Sequence, residues 1–135
     1  MGLGRIVILV VAIATCATSA GAQDTGYDTG NELLARCEGG PSSVTYGVCI
    51  GQVAGTLNAI EFAQAIGGPK IICRPEKSTN REGLDVVETW LRENSARRQL
   101  ESTSAIVLAL SVAWPCASGP IAIDPLTGTI SLPRE

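Results

Sequence analysis

Histidine is absent from all 135 residues of this chain. That absence excludes the Ser-His-Asp and Cys-His arrangements of nucleophilic catalysis and every imidazole-based metal site. No glycine-rich phosphate loop joins a strand to a helix, which removes the common nucleotide-binding signature. A basic surplus is also missing: 10 Lys and Arg stand against 13 Asp and Glu, for a net charge of −3. Such a balance argues against nucleic acid and against an anionic membrane surface as partners. There is no internal repeat and no low-complexity tract. Carboxylates are present, but Glu32, Glu61, Glu82, Asp85 and Glu88 stand where helix capping or solvent exposure accounts for them. A cysteine nucleophile would need a free thiol beside an activating group.

What the chain does have is an export leader followed by four cysteines. Arg5 is the only charge before Asp24, Ile6 to Ala14 is an unbroken apolar run, and Ala20-Gly21-Ala22 is an A-x-A cleavage site. Residues 1–22 therefore read as a signal peptide cleaved after Ala22, leaving a mature chain of net charge about −4 without Arg5. Lipoprotein processing at Cys16 is the weaker alternative, because Thr15 is a poor residue before a lipidated cysteine. Beyond the leader stand Cys37, Cys49, Cys73 and Cys116. An even count in a small exported chain reads as a disulfide framework. Their separations of 12, 24 and 43 residues contain no C-x2-C knuckle, which weighs against tetrathiolate zinc.

The pattern after the leader is helical. Residues 23–29 form a polar, flexible N-terminal segment. A capping box, Thr29 to Glu32, opens a short helix through Leu33, Leu34 and Cys37, stopped at Gly39-Gly40-Pro41. Ser42 or Ser43 caps a second helix with apolar positions at Tyr46, Cys49, Ile50, Val53, Leu57 and Ile60, a period close to 3.6. Gly67-Gly68-Pro69 stops it. A second capping box, Thr79 to Glu82, opens a third helix with Leu84, Val87 and Leu91 as its stripe, widened by Val86 and Trp90. A charged connection runs from Asn94 to Leu100. The fourth helix, Ser102 to Trp114, has little polar face and is expected to be the most buried. The predicted fold is all-α, a small disulfide-stapled bundle of about four helices over residues 30–116. Residues 117–135 form a C-terminal extension, read either as a short β-hairpin around Pro125-Leu126-Thr127-Gly128 or as an unstructured tail.

Two features of this pattern go beyond architecture. Gly47, Gly51 and Gly55 recur every four residues on the second helix, at a cost of about 1 kcal/mol each relative to alanine. Close helix packing explains such a repeat, chiefly within the bundle and secondarily across a dimer. Four cysteines allow three pairings. If the second, third and fourth helices run antiparallel in turn, Cys37 lies by Cys49 and Cys73 by Cys116. The other pairings stay open, because the Gly67 to Pro75 loop can run back along the second helix.

In order and spacing, the segments GNELLARC, YGVCIGQVAGTLNAIEFAQ, IICRPE, VVETWLRE and AWPC resemble the Rap/Tai immunity proteins. The resemblance covers residues 30 to 116 and rests on the four cysteines, Gly51, Gly55, the proline two after Cys73, and Pro115. It implies a periplasmic, all-helical, non-enzymatic protein without a cofactor, often a homodimer. Such a protein binds a peptidoglycan amidase effector of type VI secretion and blocks its active-site cleft with a loop. The loop that corresponds here joins the third and fourth helices and holds Glu93, Asn94, Arg97, Arg98 and Gln99. It lacks the proline that members often carry after the third helix. The alternative reading is a stand-alone periplasmic helical binding protein, or an acid-stress chaperone with no toxin partner. Without histidine, its switch would fall to carboxylates at low pH.

Overall fold

The computed structural model describes residues 28–117, 122–124 and 130–131. The proposed leader and the residue at Cys16 lie outside them. Four α-helices make the architecture: α1 Gly30–Cys37, α2 Val44–Ala65, α3 Asn80–Glu93 and α4 Ser102–Ala113, with a 3-10 turn at Ser95–Arg97. The caps sit where local chemistry puts them. Ser43 Oγ accepts the Tyr46 N–H at the start of α2, and Thr79 Oγ1 accepts the Glu82 N–H at the start of α3. Each satisfies a backbone donor that the first turn leaves unpaired. After α2 the chain turns at Gly67, whose φ of +97° is a conformation that side chains with a Cβ rarely adopt.

All four helices bury one stripe in a common core. Leu33, Leu57, Leu84, Leu91, Ile106 and Leu110 are all essentially inaccessible. α4 is the most buried helix: of its 12 residues, Ser102 and Ala105 through Ser111 are all buried. Its two buried polar groups are satisfied. Gln52 Nε2 donates to Ser102 Oγ at 2.6 Å, and Ser111 Oγ donates to the Leu108 carbonyl.

Two disulfides staple the bundle. Cys37–Cys49 joins the end of α1 to the first half of α2, and Cys73–Cys116 joins the segment before α3 to the residue beyond α4. All four thiols are consumed, so the disulfide sulfurs close to the Glu88 carboxylate offer no thiolate to a metal. The connection from α2 to α3 is fastened by one amide. Gln64 Oε1 accepts the N–H groups of Ile71 and Ile72, and Gln64 Nε2 donates to the Ile72 carbonyl. In the C-terminal extension, Ala122–Ile123 pairs antiparallel with Ile130–Ser131, in the register Ala122 to Ser131 and Ile123 to Ile130. The turn between them lies outside the described residues.

The glycine repeat of α2 requires a correction. Gly47, Gly51 and Gly55 do not pack against another helix of the bundle. A Cβ at any of the three would meet nothing within 4 Å. The face that packs is the opposite one, with Tyr46, Cys49, Val53 and Leu57. Ile50, read with that inner set, stands off it at 39% exposure. The close approaches that do demand glycine lie elsewhere. At Gly30, a Cβ would stand 3.2 Å from the Arg98 backbone, and at Gly68 only 2.6 Å from the Ala63 carbonyl.

Candidate functional site

The connection between α3 and α4 is a short, braced knuckle. Trp90 and Leu91 are the last buried residues of α3 before it, and the Trp90 carbonyl accepts both the backbone N–H and the side-chain amide of Asn94, each at 2.9 Å. That double contact ends α3. The Arg97 N–H then donates to the Asn94 carbonyl and the Leu100 N–H to the Arg97 carbonyl, so the backbone coils through the 3-10 turn. One edge of the knuckle is fastened to the start of α1. Gly30 N donates to the Leu100 carbonyl at 2.9 Å, Asn31 N to the Arg98 carbonyl at 3.0 Å, and Ser102 N to the Asp28 carbonyl at 2.6 Å. Thr29 and Glu101 form an isolated antiparallel bridge at the same place.

Two carboxylates hold this junction. Asp28 accepts two hydrogen bonds from the Arg36 guanidinium, both at 2.6 Å, a bidentate pair of the stronger kind. Those bonds hold the Asp28 carboxyl below its ordinary pKa, against the small opposing effect of burial. Glu101 is the N-cap of α4 and accepts the Ser104 N–H at 3.0 Å. Burial pushes its carboxyl up, but hydrogen bonds from the backbone N–H groups of Thr103 and Ser104 outweigh it, and the net shift is downward.

The five residues singled out in the sequence share this knuckle with different exposures. Glu93, Arg97 and Gln99 are exposed, whereas Asn94 and Arg98 are half-buried. Arg98 Nε is buried and makes no hydrogen bond. Glu93 and Arg97 enter no ion pair among the described residues. The site therefore offers one carboxylate, one guanidinium and one amide to solvent from a backbone that is hydrogen-bonded on both sides.

A groove beside the knuckle was not singled out from the sequence. Val86, Thr89, Trp90, Ala109, Val112 and Ala113 line an open depression of about 400 Å³ between α3 and α4, with Asp85 and Glu93 at its rim. Its signal was the breadth of the apolar stripe at Val86 and Trp90, of which Trp90 is buried in the core and Val86 packs partly buried against it. Val112 reaches 51% exposure there. The arrangement has no nucleophile–base pair among the described residues, and its chemistry is that of a binding surface: an apolar hollow next to exposed charges.

Among known proteins, a family model described as Rap1a immunity proteins matches residues 29–116. No curated protein matches the chain, and no solved structure does. The matched span begins at the capping residue of α1 and ends at the last cysteine. No described helix is long and apolar enough to cross a membrane.

Proposed function

Since the chain belongs to the Rap1a immunity proteins, we propose that it is a periplasmic immunity protein of type VI secretion that binds a peptidoglycan amidase effector and occludes its active-site cleft. The family match supports an effector as the partner, and the braced knuckle supports the mode of binding. Rigid display matters because ordering a loose loop on binding costs about 0.5–1.5 kcal/mol per immobilised side chain. In this reading Glu93, Arg97 and Gln99 enter the cleft, and Asn94 and Arg98 hold the turn in shape. The protein acts by binding and performs no chemistry. Residues 1–22 direct export and are removed after Ala22, residues 30–116 form the binding domain, and two copies of the chain make the functional unit.

The observation that carries this proposal is two exposed opposite charges, Glu93 and Arg97, that enter no ion pair among the described residues and stand on or beside a hydrogen-bonded turn within the family's matched span. Its test is the double charge reversal Glu93→Lys with Arg97→Glu in the mature protein. Binding to the effector, followed by calorimetry, should weaken by 10-fold or more on the order of one lost charge-assisted contact. Helical content should not change. Undiminished inhibition by the double variant would remove the knuckle from the mechanism. Arg98 is left intact in this test because it is half-buried and its carbonyl holds the Asn31 N–H at the start of α1.

A further inference from the structure

The two disulfides stand in opposite surroundings. Cys37 and Cys49 are 4% and 0% exposed, and a Glu88 carboxylate oxygen lies within 4.8 Å of both sulfurs. Glu88 is paired with Arg92 at 2.8 Å, and Arg92 also reaches Glu38, the residue after Cys37, at 3.4 Å. Two carboxylates against one guanidinium leave that end acidic. At the other bond, Cys116 is buried but Cys73 is exposed. Cys73 lines an open depression of about 390 Å³ together with Lys70, Arg74 and Glu61. Glu61 is paired with Arg74 at 3.2 Å, and Lys70 enters no ion pair among the described residues. Two cations against one carboxylate leave this end basic.

Charge and access are what decide the reactivity of a disulfide. The attacking species is a thiolate, an anion, and it must reach a sulfur. At Cys37–Cys49 both requirements fail: the sulfurs are buried, and the carboxylate beside them repels an incoming anion. At Cys73–Cys116 both are met. Cys73 faces solvent, and the unpaired ammonium of Lys70 attracts negative charge to the same hollow. A volume of about 390 Å³ falls within the range of small-molecule sites. The ligand that suits it is a small thiol carrying carboxylates, whose sulfur meets Cys73 while a carboxylate pairs with Lys70.

We infer that Cys73–Cys116 is a thiol-exchange site, attacked at Cys73 by a small anionic thiol, while Cys37–Cys49 stays closed. The thiolate sulfur bonds to Cys73 Sγ as the Cys73–Cys116 bond breaks, and Cys116 leaves as a thiolate that takes a proton from water. Cys73 then carries the thiol as a mixed disulfide. The Cys116 thiolate can attack that disulfide and restore the original bond, or a second thiol can remove the adduct as an oxidised thiol dimer and leave Cys73 reduced. The fold outlasts the opening. The Cys73 N–H still donates to the Trp114 carbonyl at 2.9 Å, and Arg74 still lies over the Trp114 ring at 5.9 Å from its centroid. These contacts keep Cys116 beside Cys73, so the exchange is reversible. The site stands apart from the knuckle and does not rest on the effector.

The test treats the oxidised mature protein with reduced glutathione, an anionic thiol, and separately with cysteamine, a cationic one. Samples are quenched with excess iodoacetamide and their peptides read by mass spectrometry. Cys73–Cys116 should open about tenfold or more faster than Cys37–Cys49, and the glutathione adduct should sit on Cys73 with Cys116 alkylated. Helical content, followed by circular dichroism, should be unchanged at that stage. Lys70→Glu, at an exposed position, should slow glutathione about fivefold or more and should not slow cysteamine. Equal opening of the two bonds, or earlier opening of Cys37–Cys49, would overturn the inference. An adduct on Cys116 would overturn the point of attack and the hollow with it. A Lys70→Glu variant that slows both thiols alike, or neither, would overturn the recognition of an anionic thiol.

Discussion

The two faces of α2 have nearly the same apolarity and opposite fates. On the inner face, Cys49, Val53 and Leu57 are sealed against three other helices and a disulfide. On the outer face, Val48, Gly55 and Phe62 stand in solvent. Composition does not distinguish them; side-chain size does. The inner face carries residues that fill volume, and the outer face leaves its middle empty. A helix that only needed to cap the core would have gained stability from polar residues or alanine at the outer positions. Its present sequence sacrifices about 1 kcal/mol at each exposed glycine.

That contrast is open to direct attack, most forcefully from inside. Leu57→Ala should lower unfolding stability by about 2–5 kcal/mol in urea titration, through lost transfer energy and a cavity among helices that cannot fully collapse. Replacing Cys37 and Cys49 together by serine opens a loop of 12 residues and should cost about 3 kcal/mol. The outer face should respond in the reverse sense. Gly51→Ala should raise stability by up to about 1 kcal/mol, since the added methyl meets nothing within 4 Å. If Gly51→Ala destabilised the isolated protomer instead, the two faces would be less different than the structure makes them.

The smallest effect concerns acid. The folded pKa of Asp28 lies below the ordinary aspartate value of 3.8, so its pairing with Arg36 stabilises the protein above that pH. The contribution fades as pH falls through the folded value, where the carboxylate protonates in the native state too. Asp28→Asn should therefore lower the urea midpoint at neutral pH, and the difference from wild type should shrink below pH 3.8. The pair is partly exposed, and salt should reduce the effect further.

Much of the architecture was legible in the residues. Thr29, Ser43 and Thr79 marked the helix starts because their side-chain oxygens can take up free N–H groups. Gly67 marked a stop because it alone accepts the positive φ there. The dense apolar content of Ser102–Ala113 announced the most buried helix. The glycine repeat showed that three residues share a face but not which way the face points. With both sides of α2 apolar, periodicity had no polar side to orient it. The junction of α1 with the α3–α4 connection was also hidden. It is made by backbone atoms of Asp28, Gly30 and Asn31, which no side-chain pattern marks. The nearest signal was Gly30 itself, a glycine inside a capping box, where a larger residue would strike Arg98. For the knuckle proposed to bind, sequence singled out five residues, and the fold separates the exposed Glu93, Arg97 and Gln99 from the half-buried Asn94 and Arg98.

The Cys73–Cys116 bond closes a ring of chain 43 residues apart at its ends, and the knuckle lies within that ring. A protease that cuts once after the exposed Arg97 would leave α1, α2 and α3 on one fragment and α4 on the other. The bond would still hold the fragments together, with most core contacts in place. The connection between α3 and α4 is thus one whose breakage the molecule can survive in one piece.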